Sequence, residues 1–210
     1  MNKEQLLLYA VTDRAWVGKY TLLEQIEQAL EGGVSILQLR EKNLSEEQFI
    51  KEASEVKRLC SKYGVPLIIN DSFETALRSG ADGVHVGVED MPVDKIRKAA
   101  GKDFIIGATA KTVAQAQKAE ADGADYLGVG AVFPSPTKKN ALRITAGQLK
   151  EITSCVSIPS VAIGGITPLN AELLKGGGIC GIAVVSALFG AEDISRACLE
   201  LRRAALSVID

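Results

Sequence analysis

Aromatic side chains make up only 5% of this 210-residue chain, and His85 is its one histidine. So few rings leave little for a base-stacking platform. A lone histidine gives no Ser/His/Asp triad that could be argued without geometry. The four cysteines, Cys60, Cys155, Cys180 and Cys198, form no CxxC pair. That argues against a zinc site and for free thiols in a reducing compartment. Charge of either sign is not in excess: 24 basic against 26 acidic side chains leave a formal net charge of -2. Neither nucleic acid nor an anionic lipid surface is expected as a partner. No apolar run approaches about 18 residues, and no basic stretch followed by an apolar one opens the chain. A soluble, cytoplasmic protein without a membrane partner is the expectation.

What is present is a large hydrophobic fraction, 47%, enough for one substantial core. Short apolar runs of β character are predicted at 6–11, 36–39, 67–69, 83–86, 104–106, 126–129, 160–163 and 181–185. Helical spacing lies between them, at 22–30, 46–63, 73–78, 93–99, 113–121, 146–152 and 170–175, and a last helix is predicted at 194–205. Ser45 ahead of Gln48 has the form of a capping box. A corner of small residues precedes an apolar strand four times, in GGVSILQL, SGADGVHVG, DGADYLGVG and GGGICGIAVV. Repeated βα units without a linker-like tract predict a single (β/α)8 barrel over residues 1–210. A doubly wound sheet is the alternative, and the missing GxGxxG after the first strand counts against its dinucleotide-binding form.

In such a barrel, polar residues at the carboxyl ends of the strands form the site. The run ILQLREK carries Gln38, Arg40 and Lys42 two apart, on one face of a strand. An amide, a guanidinium and an ammonium delivered together suggest an anion, and phosphate fits the planar fork of arginine. Asn70 and Asp71 end the third strand, and Asp90 follows the fourth; each aspartate could instead cap a helix. Two carboxylates on adjacent strand ends beside basic groups call for a hard cation, and Asp71 and Asp90 are the expected Mg2+ ligands. Thr109 and Lys111 end the fifth strand. The loop GAVFPSPTKKN supplies Ser135, Thr137 and Lys138. Gly164, Gly165 and Ser186 lie where barrels often hold phosphate, and a helix start after the eighth strand could present free N–H groups. His85 is expected in a supporting role more than in substrate contact. Asp13 and Arg14 could face the site or pair with each other. Two anion-binding regions on one face suit two phosphorylated reactants or one long bisphosphate.

The runs YAVTDR, LQLREK, IND, GVHVGVEDM, ADYLGVGAVFPSPTKK, SVAIGGI and GIAVVSAL, in this order and spacing, resemble the thiamine-phosphate synthase family over nearly the whole chain. The resemblance implies a transferase of thiamine biosynthesis. It would join 4-amino-2-methyl-5-hydroxymethylpyrimidine diphosphate to 4-methyl-5-(2-phosphooxyethyl)thiazole, with diphosphate leaving first. It also implies roles by motif. Gln38, Leu39, Arg40, Glu41, Lys42, Asn70, Thr109 and Lys138 would bind the pyrimidine diphosphate, with Arg40, Lys42 and Lys138 catalytic. Asp71 and Asp90 would hold Mg2+. Ser135, Pro136, Thr137, Gly165, Val185 and Ser186 would receive the thiazole phosphate. The partners implied are two phosphorylated small molecules, with assembly into a homo-oligomer left open. The chain departs from the commonest family pattern at Thr109 and Ser135, which keep a hydroxyl, and at Lys111, Val88 and Ala131. A thiazole tautomerase, or a noncatalytic barrel that binds a phosphate ligand, is the alternative.

Overall fold

The computed structural model describes residues 1–135 and 142–209. Pro136, Thr137 and Lys138, expected at the site, lie outside the described residues. Strand and helix alternate along the chain as β1 (Leu8–Val11), α1 (Leu22–Glu31), β2 (Ile36–Leu39), α2 (Glu46–Tyr63), β3 (Leu67–Asn70), α3 (Phe73–Ser79), β4 (Gly83–Val86) and α4 (Val93–Ala100). They continue as β5 (Ile105–Ala110), α5 (Val113–Ala121), β6 (Tyr126–Gly130), α6 (Ala146–Ser154), β7 (Ser160–Ile163), β8 (Gly181–Val184), α7 (Ser186–Phe189) and α8 (Ile194–Leu206). The strands close in chain order, β1 through β8, with β8 against β1. The pairings are parallel throughout. This is the (β/α)8 barrel. No helix among the described residues is long and apolar enough to cross a membrane.

Alternation along the strands divides the core in two. One set of side chains, among them Leu37, Leu39, Leu67, Ile69, Val84, Ile106 and Leu127, packs outward beneath the helices. The other set fills the barrel, with Tyr9, Val11, Ile36, Ile68, Tyr126, Val161 and Ala183. Both faces of each strand are therefore covered, which is why the strands appear in the sequence as unbroken apolar runs. Helix starts are fixed locally. Thr21 with Glu24, Ser45 with Gln48, and Thr145 with Gln148 form reciprocal capping boxes.

The four small-residue corners have a common structural cause. In each, the residue just before an even-numbered strand reaches across to the preceding odd strand. The backbone N–H groups of Ser35, Asp82, Asp125 and Cys180 donate to the carbonyls of Leu8, Leu67, Ile106 and Ser160. At three of the corners the side chain also accepts a strand N–H: Leu8 to Ser35 Oγ (2.9 Å), Leu67 to Asp82 Oδ2 (2.7 Å) and Ile106 to Asp125 Oδ2 (2.7 Å). At the fourth, the Cys180 thiol donates to the Ser160 carbonyl at 3.3 Å. Lys57 pairs with Asp82 (2.6 Å) and Arg97 with Asp125 (2.6 Å). These clamps satisfy strand starts that the ladder leaves unpaired. They lie at the floor of the barrel, where residues serve stability.

Among the elements that differ from expectation, three have a clear cause. The first strand begins at Leu8, because Lys3–Leu6 forms a 3-10 turn capped by Asn2 and Gln5. The helix expected at 170–175 is a single 3-10 turn, Ala171–Leu174, too short between Pro168 and the glycines at 176–178 to wind further. Strand β5 runs on to Ala110, past the predicted end at 106, although IGATA has weak strand propensity. Its ladders with β4 and β6 impose the extension.

The clamps give a stability test. Asp82→Ala strands the buried Leu67 N–H and leaves Lys57 unpaired, and is expected to cost about 1–3 kcal/mol. Asp82→Asn keeps an acceptor and should cost less. Urea denaturation of the two variants measures the difference, and equal losses would remove the clamp from the explanation.

Candidate active site

Polar residues converge at the carboxyl ends of the strands. Inside the barrel, just below the mouth, they form a continuous hydrogen-bond chain. Gln38 Nε2 donates to the Tyr9 hydroxyl at 2.7 Å. The Tyr9 and Tyr126 hydroxyls are 2.6 Å apart. The Tyr126 hydroxyl lies 3.1 Å from His85 Nδ1, and His85 Nε2 lies 3.0 Å from Thr109 Oγ1. The chain thus crosses β2, β1, β6, β4 and β5. Tyr9 and Tyr126 are fully buried, and Gln38 and His85 nearly so. Burial holds both phenols protonated and pushes the imidazole down to about 4, so His85 is neutral. Space for this chain comes from two glycines. A Cβ on Gly107 would run into the Tyr126 hydroxyl and His85 Nδ1, and one on Gly128 would lie 3.0 Å from His85 Cε1.

Asp71 and Asp90 meet above this chain. Asp71 follows β3 with φ at 64°, a left-handed backbone that aspartate tolerates better than most residues. Asp71 reaches solvent, yet loss of water around its carboxyl raises its pKa, and the like charge of Asp90 raises it further, to about 6. Asn70 bonding and the Arg40 charge oppose this in part. Asp90 is fixed by the Gly87 N–H, which donates to Oδ2 at 2.7 Å. No group of three or more His, Cys, Asp or Glu side chains suited to a metal occurs among the described residues. The arrangement is a facing pair of carboxylates whose mutual repulsion a cation would relieve.

The end of β2 divides its charges. Arg40 is mostly buried, and its Nη1 donates to Asp13 Oδ2 at 2.9 Å, while its backbone N–H donates to Thr12 Oγ1. Asp13 also caps the turn Arg14–Trp16 through the Ala15 N–H. Glu41 turns the other way: its side chain is 3% exposed and accepts from Arg14 Nε at 2.9 Å. Arg14 pairs with Glu52 of α2 as well. Asp13 and Arg14 therefore do not pair with each other; they anchor Arg40 and Glu41 on either side. Burial, ahead of Arg14's opposing effect, raises the Glu52 pKa. Lys42 is exposed and makes no ion pair among the described residues. Leu39 points outward into the helix-facing core and can offer the mouth only its backbone.

On the opposite side, the segment after β6 crosses over the end of β7. Val132 and Phe133 N–H groups donate to the carbonyls of Ile163 and Gly164, both at 3.0 Å. Pro134 O lies where a Cβ on Gly165 would be, so a side chain at 165, where φ is 64°, is excluded twice over. The Asn170 side chain donates to the Gly165 carbonyl at 2.9 Å. Ser135 is half-buried at the end of the crossing. Val185 and Ser186 follow the neighbouring strand, and Val185 caps α7, whose first N–H groups have no intrahelical acceptor. Ser135, Gly165, Val185 and Ser186 thus come from adjoining strand ends, across the mouth from β2.

Four residues of this site carried no recognised signal in sequence: Tyr9, Tyr126, Gly107 and Gly128. Each lies within an apolar or small-residue strand. Only the inward phase, shared with Gln38, His85 and Thr109, could have singled them out.

A family model described as thiamine monophosphate synthase matches residues 8–188. A thiamine-phosphate synthase of Clostridium tetani is 47% identical, across 92% of this chain and 93% of that protein. A thiamine-phosphate synthase 2 of Streptococcus pneumoniae is 48% identical, across 92% of each. Among solved structures, the thiamine phosphate pyrophosphorylase of Pyrococcus furiosus superposes with a TM-score of 0.90 at 38% identity, covering 99% of both chains. A family match across most of the barrel, and relatives alike over nearly all of both lengths, lead to one conclusion: the chain belongs to the thiamine monophosphate synthase family.

Proposed function

We propose that this chain makes thiamine phosphate, by joining the hydroxymethylpyrimidine diphosphate to the phosphorylated thiazole with release of diphosphate. The observation that carries the site assignment is the facing pair Asp71 and Asp90, with Asn70 and the charge of Arg40 near them. The like charge of Asp90 raises the proton affinity of Asp71, and the oxygen donors of two carboxylates so placed would suit Mg2+. Magnesium keeps waters and takes phosphate oxygens, so two protein ligands suffice. When bound, it supplies charge stabilisation for a departing diphosphate.

The chain's own residues then have distinct tasks. Arg40, Lys42 and Lys138 neutralise the diphosphate as the C–O bond breaks and its electron pair leaves with oxygen. Asn70 and Thr109 donate to it. Gln38 faces the pyrimidine, and Leu39 and Glu41 hold that segment of chain in place. Ser135, Pro136, Thr137, Gly165, Val185 and Ser186 seat the thiazole phosphate so that the thiazole nitrogen lies in line with the exposed methylene carbon. Its lone pair forms the new C–N bond. Alignment and electrostatics supply the rate, and no side-chain nucleophile is needed. Asp13 competes for Arg40 in the free protein and keeps the guanidinium aimed.

Four outcomes follow. Diphosphate release from the two purified substrates should require a divalent cation. Asp71→Ala and Asp90→Ala should each lower it by about 100-fold or more; release at the normal rate in both variants would remove the pair from the site. Metal binding requires the carboxylate, so titration calorimetry should show Mg2+ affinity falling by about tenfold per pH unit below about 6. A flat profile between pH 5 and pH 7 would contradict the facing pair. In the metal-free fold, Asp71 holds its proton more tightly than in the unfolded chain. Its effect therefore lowers stability as pH rises from 3.8 to about 6. Asp71→Asn keeps a residue tolerant of the left-handed backbone and removes the repulsion. It should raise the metal-free Tm by about 2–4 °C at neutral pH while abolishing turnover.

A further inference from the structure

We propose that Tyr126 is a positioning residue: by donating its hydroxyl proton to His85 Nδ1, it holds the imidazole as the Nε2–H tautomer, so that Thr109 offers its own hydroxyl proton to the ligand at the barrel mouth. This rests on the reading of Thr109 and Gln38 as contacts to the pyrimidine diphosphate, and it deepens that reading.

The chain from Gln38 to Thr109 has one proton available for each link. Tyr9, Tyr126 and Thr109 carry a single hydroxyl proton each, and an imidazole buried without a carboxylate bonded to it carries a single N–H. Both tyrosines are fully buried, so water offers no alternative partner. The protons must therefore all point one way or all point the other. In the first polarity, Gln38 Nε2 donates to Tyr9, Tyr9 to Tyr126, Tyr126 to His85 Nδ1, and His85 Nε2–H to Thr109. In the reverse, Thr109 gives its proton to His85, and the Gln38 carbonyl oxygen accepts from Tyr9.

One observation and one requirement of the proposed ligand select the first polarity. The Gln38 amide nitrogen, which can only donate, faces the Tyr9 hydroxyl at 2.7 Å. The two ends of the chain must also match the ligand. An anionic diphosphate needs a donor from Thr109, and the amino group of the pyrimidine needs an acceptor, which is the remaining Gln38 oxygen. The reverse polarity would turn lone pairs toward the diphosphate and an amide N–H toward the amino group, wrong at both ends. Tyr126 is the hub because it alone bonds both to the Tyr9 side of the chain and to His85. Gly107 and Gly128 leave the space that this requires.

The sole histidine makes the test direct. In full-length protein labelled with 15N-histidine, without metal or substrates, two-bond 1H–15N correlations report which ring nitrogen bears the proton. Wild type should show Nε2 protonated and Nδ1 bare. Gln38→Glu places a group that only accepts at the head of the chain, reverses every link and should move the proton to Nδ1. Tyr126→Phe should release the lock to a mixture of tautomers and lower kcat by about tenfold. Thr109→Val should cost a similar factor, and the double variant little more, because both remove one donated proton. A wild-type ring protonated at Nδ1 or mixed, an unchanged tautomer in Gln38→Glu, or additive kinetic losses would overturn the proposal. The ring is observed without substrate, so it stands apart from the activity. A wild type locked as Nε2–H that released no diphosphate would remove the enzymatic assignment and leave the lock in place.

Discussion

A barrel interior has almost no water, so each polar group placed there must find a partner within the protein. The hydrogen-bond chain from Gln38 through Tyr9, Tyr126 and His85 to Thr109 meets that requirement across five strands. Much of the local sequence follows from it. Strand β5 needs glycine at 107, and β6 needs it at 128, because the phenol and imidazole occupy the space a Cβ would take. These substitutions weaken the propensity of both strands, and their ladder partners supply what propensity does not. Because the interior is densely filled below this layer, by Ile36, Ile68 and Val161, the polar layer forms a firm floor to the mouth.

The two ends of the barrel solve opposite electrostatic problems. At the bottom, Asp82 and Asp125 each accept a strand N–H and a cation, so their charges are used up in holding the fold. At the mouth, Asp71 and Asp90 are left facing each other, and repulsion is stored rather than relieved. Such partly compensated charge is a cost that the cation proposed for this pair would relieve. Arg40 lies between these cases. Asp13 holds it in place at 2.9 Å, and no second ion pair to its guanidinium occurs among the described residues.

Much of this was legible in residue order alone. The bounds of β2, β4 and β7, and of α2 and α5, follow from apolar runs and helical spacing, because each is bounded by its own caps or glycines. The family resemblance rested on short polar runs at strand ends, and the comparisons bear it out at the level of family and activity. The elements that departed from expectation are those decided by distant neighbours: β5 by its ladders, and the turn Ala171–Leu174 by the glycines beyond it. Ion pairing was legible least. Asp13 and Arg14 are adjacent in sequence, yet one takes Arg40 and the other takes Glu41 and Glu52, because β1, β2 and α2 bring those groups to opposite sides of one strand end.

Residue order specifies the succession of βα units, the inward phase of Gln38, Asn70, His85 and Thr109, and the set of charged residues at the strand ends. These are consequences of period and local capping, which act within a few residues. Which of those residues meet is a matter of the folded barrel. That Tyr9 reaches Tyr126, that Asp71 faces Asp90, and that Glu41 turns from the mouth while Arg40 stays depend on closure of the barrel. Closure brings side chains far apart in sequence within hydrogen-bond distance, in an interior where an unpaired polar group is costly.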